Sequence, residues 1–339
     1  MAVIFNGIKQ PQSQLEEIQS EIYLSSDTIG KNLVAIDEGH KSGTDSYESK
    51  VSIVISDANR GPVTTTGNIQ AIAEKTVVNL TTFNIEDVID ESVLLNTRFE
   101  KSMQAGAFKI VSDELAKKVL IDVAPAIGEA VDSMIWNGAT VATKALVAAS
   151  SLSAANKAII ATMPVTKIDS LGLKVLYNDS VSKTVPGAGA SDCIQVATPA
   201  VITASTIAAE YQKIFNGAPA KVTLDRRNPA VFFMPYSHRA MIMEANNSAT
   251  NFNKQFLVEG IGESESISFQ GSKIEFVGLD KIGVFCDRRF LKVLMDLKSD
   301  TTGLIIEPEA NASQRFIMKN IQTMATHVTN QRYITVHAK

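Results

Sequence analysis

A chain of 339 residues with 45% apolar and 20% charged side chains has the composition of a folded protein rather than a disordered one, and it is long enough for one elaborated domain or several smaller lobes. Its formal net charge of −4, with lysines and arginines scattered singly or in pairs, provides no basic stripe for a phosphate backbone, which argues against autonomous nucleic-acid binding. No window approaches the ~20 apolar residues of a membrane span, and the first residues lack the charged and apolar regions of a signal peptide, so an intracellular origin is expected.

Along the chain, "QSQLEEIQSEIYL" spaces Leu15, Ile18 and Ile22 for a short amphipathic helix in a loose N-terminal arm. Next, "SKVSIVIS" and "PVTTTGNIQAIA" flank "DANRG" and predict a long hairpin, rich in Thr, Ser and Asn, that protrudes rather than packs on its own chain. "KTVVNLTTFNIEDVI" continues extended, and a helical pattern is expected after Thr97. Ser112 is placed to cap the longest helix, whose stripe runs through Leu115, Val119, Val123, Ile127, Ala130 and Met134 to a stop at Asn137-Gly138. Pro125 in its interior removes a backbone donor and predicts a kink or break.

Residues 139–192 shift towards Ala, Ser, Thr and Val and read as an insertion in a second lobe, with "VPGAGASD" as a loop. Thr198 and Pro199 are expected to open a helix carrying Val201, Ala204, Ala208, Tyr211 and Phe215 on one face, closed by Asn216-Gly217. Then come a strand at "AVFFM", a helix from Ser237 to Asn246, and strands at "KIEFVG" and "IGVFC". The tripeptide "DRR" occurs at 225–227 and again at 287–289, and is read as charged loop or strand-edge positions. Towards the end, Ile317, Ile321 and Met324 stripe an expected helix ahead of the final strand "QRYITV". The class is α+β.

No catalytic constellation emerges. Ser237 and His238 are adjacent, whereas a nucleophile and its base must face each other and be oriented by a third group; the serine also lacks the glycines of a nucleophile elbow. Ser237 is read instead as a helix cap, with His238 and Arg239 in the first turn. "GAGASD" lacks the third glycine of a dinucleotide fingerprint, and "DLKSDTTGLIIEPEAN" lacks the fixed alternation of a calcium loop. His40, His238, His327 and His337 have no metal-ligand spacing and are expected solvated or capping. Cys193 and Cys286 match no disulfide or metal framework and are expected as small buried apolar residues. No catalytic, cofactor or metal site is expected, and no enzyme activity.

The order of elements resembles the tailed-bacteriophage major capsid proteins of the HK97 fold. The features that carry the resemblance are the arm, the polar hairpin, the long helix, the segment "AVFFMPYSHRAMI", and an end in which "F-x-x-K-N" follows a strand with an aspartate-arginine pair. The resemblance covers nearly the whole chain. It implies an N-terminal arm over 1–43, an extended loop over 44–82 and a peripheral domain with the long spine helix over 83–138. An axial domain over 139–275 and peripheral return strands with a C-terminal helix over 276–339 would complete the chain. It also implies a virion location, assembly in the host cytoplasm, and hexamers and pentamers of the chain arranged icosahedrally around double-stranded DNA contacted non-specifically. A portal, a decoration protein and a separate scaffolding protein are expected partners; about forty residues precede the hairpin, fewer than the ~100 of a scaffolding domain.

Some members of that family join subunits through a loop lysine and an asparagine, aided by a glutamate. Asn320 stands at the asparagine position, and Lys50 or Lys75 would supply the lysine. The glutamate position, seven residues on, holds His327, so the linking set is incomplete. Two other readings compete: an encapsulin-type nanocompartment shell of the same fold, and a cytosolic α+β hydrolase using Ser237 or His238.

Overall fold

The computed structural model describes residues 4–5, 8–9, 26–39, 44–53, 69–90, 113–178, 189–190, 192–225, 227–248, 255–260, 265–295, 303–308 and 315–339. The amphipathic segment at 12–24, the helical pattern after Thr97, the Ser112 cap and the hairpin turn lie outside these residues.

Strands β1 (Ile4–Phe5) and β2 (Ile8–Lys9) form a small antiparallel pair. Helix α1 (Asp27–Gly30) is capped by Ser26, whose hydroxyl accepts the Ile29 N–H, and leads into β3 (Ala35–Asp37). Strands β4 (Thr44–Ile53) and β5 (Ile69–Val78) are the two arms of the predicted hairpin, antiparallel from Thr44↔Val78 to Ile53↔Ile69. At the base of this pair, Val78 joins Leu80, Leu294 and Ala325 in a small apolar cluster. Strand β6 (Thr81–Asp90) continues the chain in extended form.

Helix α2 (Asp113–Trp136) runs for 24 residues and is the longest among the described residues. It passes through Pro125 without breaking; that residue is exposed, where solvent can satisfy the carbonyl its missing donor leaves free. Short helices α3 (Val141–Ala149), α4 (Ala154–Thr162) and α5 (Leu171–Leu176) follow, each capped by a hydroxyl, of Thr140, Ser153 and Ser170 respectively. A two-residue pair, β7 (Tyr177–Asn178) with β8 (Gly189–Ala190), precedes β9 (Ile194–Gln195). Helix α6 (Ile207–Gly217) starts eight residues after Pro199, with Thr206 at its N-cap position, so 199–206 forms the turns leading into it rather than its first two turns. A single turn, α7 (Ala220–Thr223), β10 (Val231–Pro235) and α8 (Ser237–Ser248) complete this part.

The remaining strands are β11 (Phe256–Glu259), β12 (Ser266–Phe269), β13 (Ser272–Val277), β14 (Ile282–Cys286), β15 (Leu291–Met295), β16 (Gly303–Pro308), β17 (Arg315–Val328) and β18 (Thr335–Ala338). Seven strands form one sheet in the order β11-β12-β13-β10-β14-β18-β9, and a second has the order β16-β17-β15-β3 with β6 paired along β17. The expected C-terminal helix is therefore the strand β17. Ile317, Ile321 and Met324 fit a helical stripe. Ten cross-strand pairs to β6 and further pairs to β16 and β15 override that local pattern. A central strand shows no clean alternation: residues 324–328 are all buried.

One apolar cluster draws on residues from both sides of position 139. Leu152, Ile160, Leu171 and Leu176 from the supposed second lobe share one cluster with Trp136 and Ile135 of α2. Strands β14 and β18, expected in the peripheral return, belong to the seven-stranded sheet. Its central strands β10 and β14 are buried on both faces, which is why "AVFFM" reads as a continuous apolar run. Val231 and Phe233 enter the cluster around Trp136, whereas Phe232 and Met234 enter a second cluster with Tyr211, Ile214, Ile242 and Phe285. Cys193 and Cys286 are buried and form no disulfide among the described residues.

Candidate functional site

The Ser237-His238-Arg239 turn is pulled apart by the start of α8. Ser237 is exposed and occupies the first helical position rather than the position ahead of it. Arg239 is exposed and pairs with Glu265 at 2.8 Å. His238 faces inward: its Nδ1 lies 3.3 Å from the Tyr211 hydroxyl, and burial, followed by the nearby His337, pushes its pKa down to about 4. Among the described residues no hydrogen bond joins Ser237 to His238, so the hydrolase pairing is not formed.

His238, His327 and His337 are all buried, which overturns their reading as solvated or capping side chains; His40 lies outside the described residues. His337 projects from β18 towards α6, where its Nε2 sits 2.9 Å from a Glu210 carboxylate oxygen. The same carboxylate accepts from Lys213 Nζ at 2.7 Å and from the Ala200 N–H at 3.1 Å. Burial raises the Glu210 pKa, but these three donors outweigh it and hold the group below its usual range. For His337 burial is the larger effect and lowers its pKa despite the carboxylate. The result is a satisfied polar node that fixes α6, the 198–200 loop and β18 together. Its signal in the sequence was Glu210 itself, a carboxylate inside the buried stripe of Ile207, Tyr211 and Ile214.

A second buried node ties the N-terminal region to α2. The Asp132 carboxylate accepts from the Thr28 N–H at 2.9 Å and the Ser26 hydroxyl at 3.2 Å, while Trp136 Nε1 donates to the Thr28 hydroxyl. Burial raises the Asp132 pKa in spite of these donors. Both nodes are structural clamps. Among the described residues no group of His, Cys, Asp or Glu side chains converges to hold a metal ion, and no helix is long and apolar enough to cross a membrane.

The linking candidates fall in different sheets. Lys50 lies opposite Ile72 and Lys75 opposite Tyr47 in the β4–β5 pair, whereas Asn320 is central in β17, opposite Leu304 of β16 and Ile85 of β6. A strand sends residues an odd number apart to opposite faces, so Asn320 and His327, seven apart, do not share a face of β17. As a helix, the same offset would have placed them on one side.

No family model matches the chain, and no curated protein matches it. Solved structures do. The fold is similar to that in a structure described as the capsid of a native GTA particle, with a TM-score of 0.53 and 10% identity, covering 93% of this chain and 89% of that one. The capsid of an empty GTA particle gives 0.52 with 10% identity, covering 92% of this chain and 89% of that one. The capsid of Myoviridae Phage XM1 gives 0.51 with 11% identity, covering 92% and 91%. At this identity the likeness is one of fold, and it extends over nearly the whole chain.

Proposed function

We propose, on the premise of a fold shared end to end with the subunits of those particles, that this chain is a major capsid protein. In this reading it assembles through hexamers and pentamers into the icosahedral shell of a tailed phage around double-stranded DNA. The observation that carries the reading is coverage: a match over 93% of the chain at 10% identity means that the path of the backbone, not one motif, is what is held in common.

The physical features fit a subunit whose work is done at its surfaces. The hairpin β4–β5 pairs with no other strand among the described residues, and two ten-residue strands alone make a marginal structure that a neighbouring surface would stabilise. Head-to-tail contacts of this kind close into rings when the rotation permits, and many modest contacts acting together hold a shell through multivalency. A net charge of −4 suits a container wall that does not bind its contents tightly. The separate scaffold, the portal and assembly in the host cytoplasm belong to the same proposal. The shell is proposed as non-covalent, because His327 stands where a linking glutamate is required.

Expression of the chain with and without candidate scaffolding proteins, followed by light scattering and negative-stain microscopy, tests the reading. Closed shells of uniform diameter are expected. A monomer or small oligomer under every condition overturns it.

A further inference from the structure

Two of the connections between the sheets, β14 to β15 and β17 to β18, meet at one cleft. From β14 to β15 the chain passes through a 3-10 turn at Arg288–Phe290; from β17 to β18 it passes through Asn330, in the left-handed region at φ 50°, and a second turn at Gln331–Tyr333. The Thr329 N–H donates to the Phe290 carbonyl at 2.8 Å, and the Phe290 and Tyr333 rings stack at 6.2 Å, so the two connections are fastened to each other. The third wall is α7, through Lys221 and Val222, with the segment that follows it. Together they enclose about 250 Å³.

Both "DRR" tripeptides contribute to this cleft, one from each side, although Arg226 lies outside the described residues. Their carboxylates are already committed. Asp225 accepts the N–H groups of Arg227 and Asn228, and Asp287 accepts the Arg289 N–H and forms an ion pair with its guanidinium at 2.6 Å. What remains is cationic. Lys221 Nζ and Arg332 Cζ each lie 5.0 Å from the centre of the Tyr333 ring, and among the described residues neither has an ion-pair partner. A volume below the ~300–1,000 Å³ of small-molecule pockets matches one or two inserted side chains better than a cofactor. The Asp225 and Asp287 carboxylates on the walls disfavour a continuous phosphate ladder, which also needs a longer run of cations.

We propose that this cleft is a contact point between subunits, receiving a carboxylate-bearing segment of a second copy of the chain through Lys221, Arg332 and Arg289. The proposal rests on the shell reading above. An acidic chain that carries a local cationic cleft is complementary to the rest of its own surface, and opposite potentials of this kind set register between partners. The Asp287–Arg289 pair holds one guanidinium in place, and the Tyr333 ring holds the other two cations at its faces.

The test uses assembled wild-type particles made from mixed heavy-isotope and ordinary chains. Carbodiimide coupling, which forms an amide between an amine and a carboxylate with loss of water, followed by peptide mapping, is expected to join Lys221 to an Asp or Glu of a different copy. Inter-copy amides at other lysines with none at Lys221 overturn the proposal, as does protection of Lys221 in DNA-filled particles but not in empty shells, which assigns the occupant to nucleic acid. The double variant Lys221→Glu/Arg332→Glu is expected to melt like wild type when unassembled and to lose particle yield by at least about tenfold. Lys221→Arg/Arg332→Lys is expected to assemble. Wild-type yield from the reversed variant overturns the cleft assignment alone, whereas a wild type that forms no particles overturns the shell reading beneath it.

Discussion

Glu210 and His337 stand 127 positions apart in sequence and 2.9 Å apart in space, a carboxylate and an imidazole each about 3% exposed. Removing the carboxylate leaves the imidazole and the Ala200 N–H without their acceptor in a buried site. Glu210→Ala is therefore expected to lower stability by roughly 3 kcal/mol, as for one-sided loss of a buried pair. The check is a shift in the urea midpoint at unchanged slope. Addition of His337→Phe to that variant is expected to recover part of the loss.

His238 gives a pH dependence with a defined sign. Its folded pKa of about 4 lies below the ordinary value of 6.5, because burial disfavours the charged ring. The unfolded chain thus binds the proton first as pH falls. Stability from this group is complete above about 6.5, declines as pH drops towards 4, and amounts to roughly 3 kcal/mol over the window. Glu210, whose pKa is depressed, adds stability present above its unfolded pKa and lost in more acid solution. His238→Gln is expected to flatten the melting-temperature profile between pH 6.5 and 4, which thermal scans across that range would measure.

Asp132 supports the turn at Ser26–Thr28 from inside α2. Asp132→Ala strands the Thr28 N–H and the Ser26 hydroxyl and is expected to cost about 2 kcal/mol. Asp132→Asn keeps an acceptor oxygen and relieves the buried charge, so its cost is expected to be smaller. Calorimetric melting of the two variants orders them.

Gly172 sits where a side chain has no room. A Cβ there would lie 2.6 Å from the Trp136 carbonyl oxygen and 2.9 Å from Leu279 Cδ2, and backbone cannot yield cheaply. Gly172→Ala is expected to destabilise by about 2 kcal/mol or more. Gly217→Ala meets nothing nearer than 3.6 Å and is expected to stay within about 1 kcal/mol of wild type. Denaturant titrations of both variants separate close approach from helix propensity.

What could be read from sequence was local. The hairpin strands, the 24-residue helix, "AVFFM" and "IGVFC" announce themselves through alternation, a stripe with a stop, and short apolar runs. What could not be read depends on partners far along the chain. Residues 315–328 carry a helical spacing, but β6, more than two hundred residues earlier, claims them as a strand. His337 looks like a surface residue near the end until Glu210 is placed beside it. The sheet membership of β14 and β18 is hidden for the same reason, since their partners β10 and β9 come from earlier in the chain. The two "DRR" tripeptides read as unrelated because nothing local indicates that the segment after α7 meets the β14–β15 connection.

The position of β18 in its sheet governs when the protein can finish folding. It lies between β14 and β9, pairing with both, and among the described residues no other strand joins β9 to the rest of the sheet. During synthesis β9 and the β14 edge wait on residues 335–338, and a chain cut short of them exposes that edge, a template for wrong pairing. Truncated products therefore identify themselves by an open edge, and only a chain completed through β18 arrives at its neighbours with that edge closed.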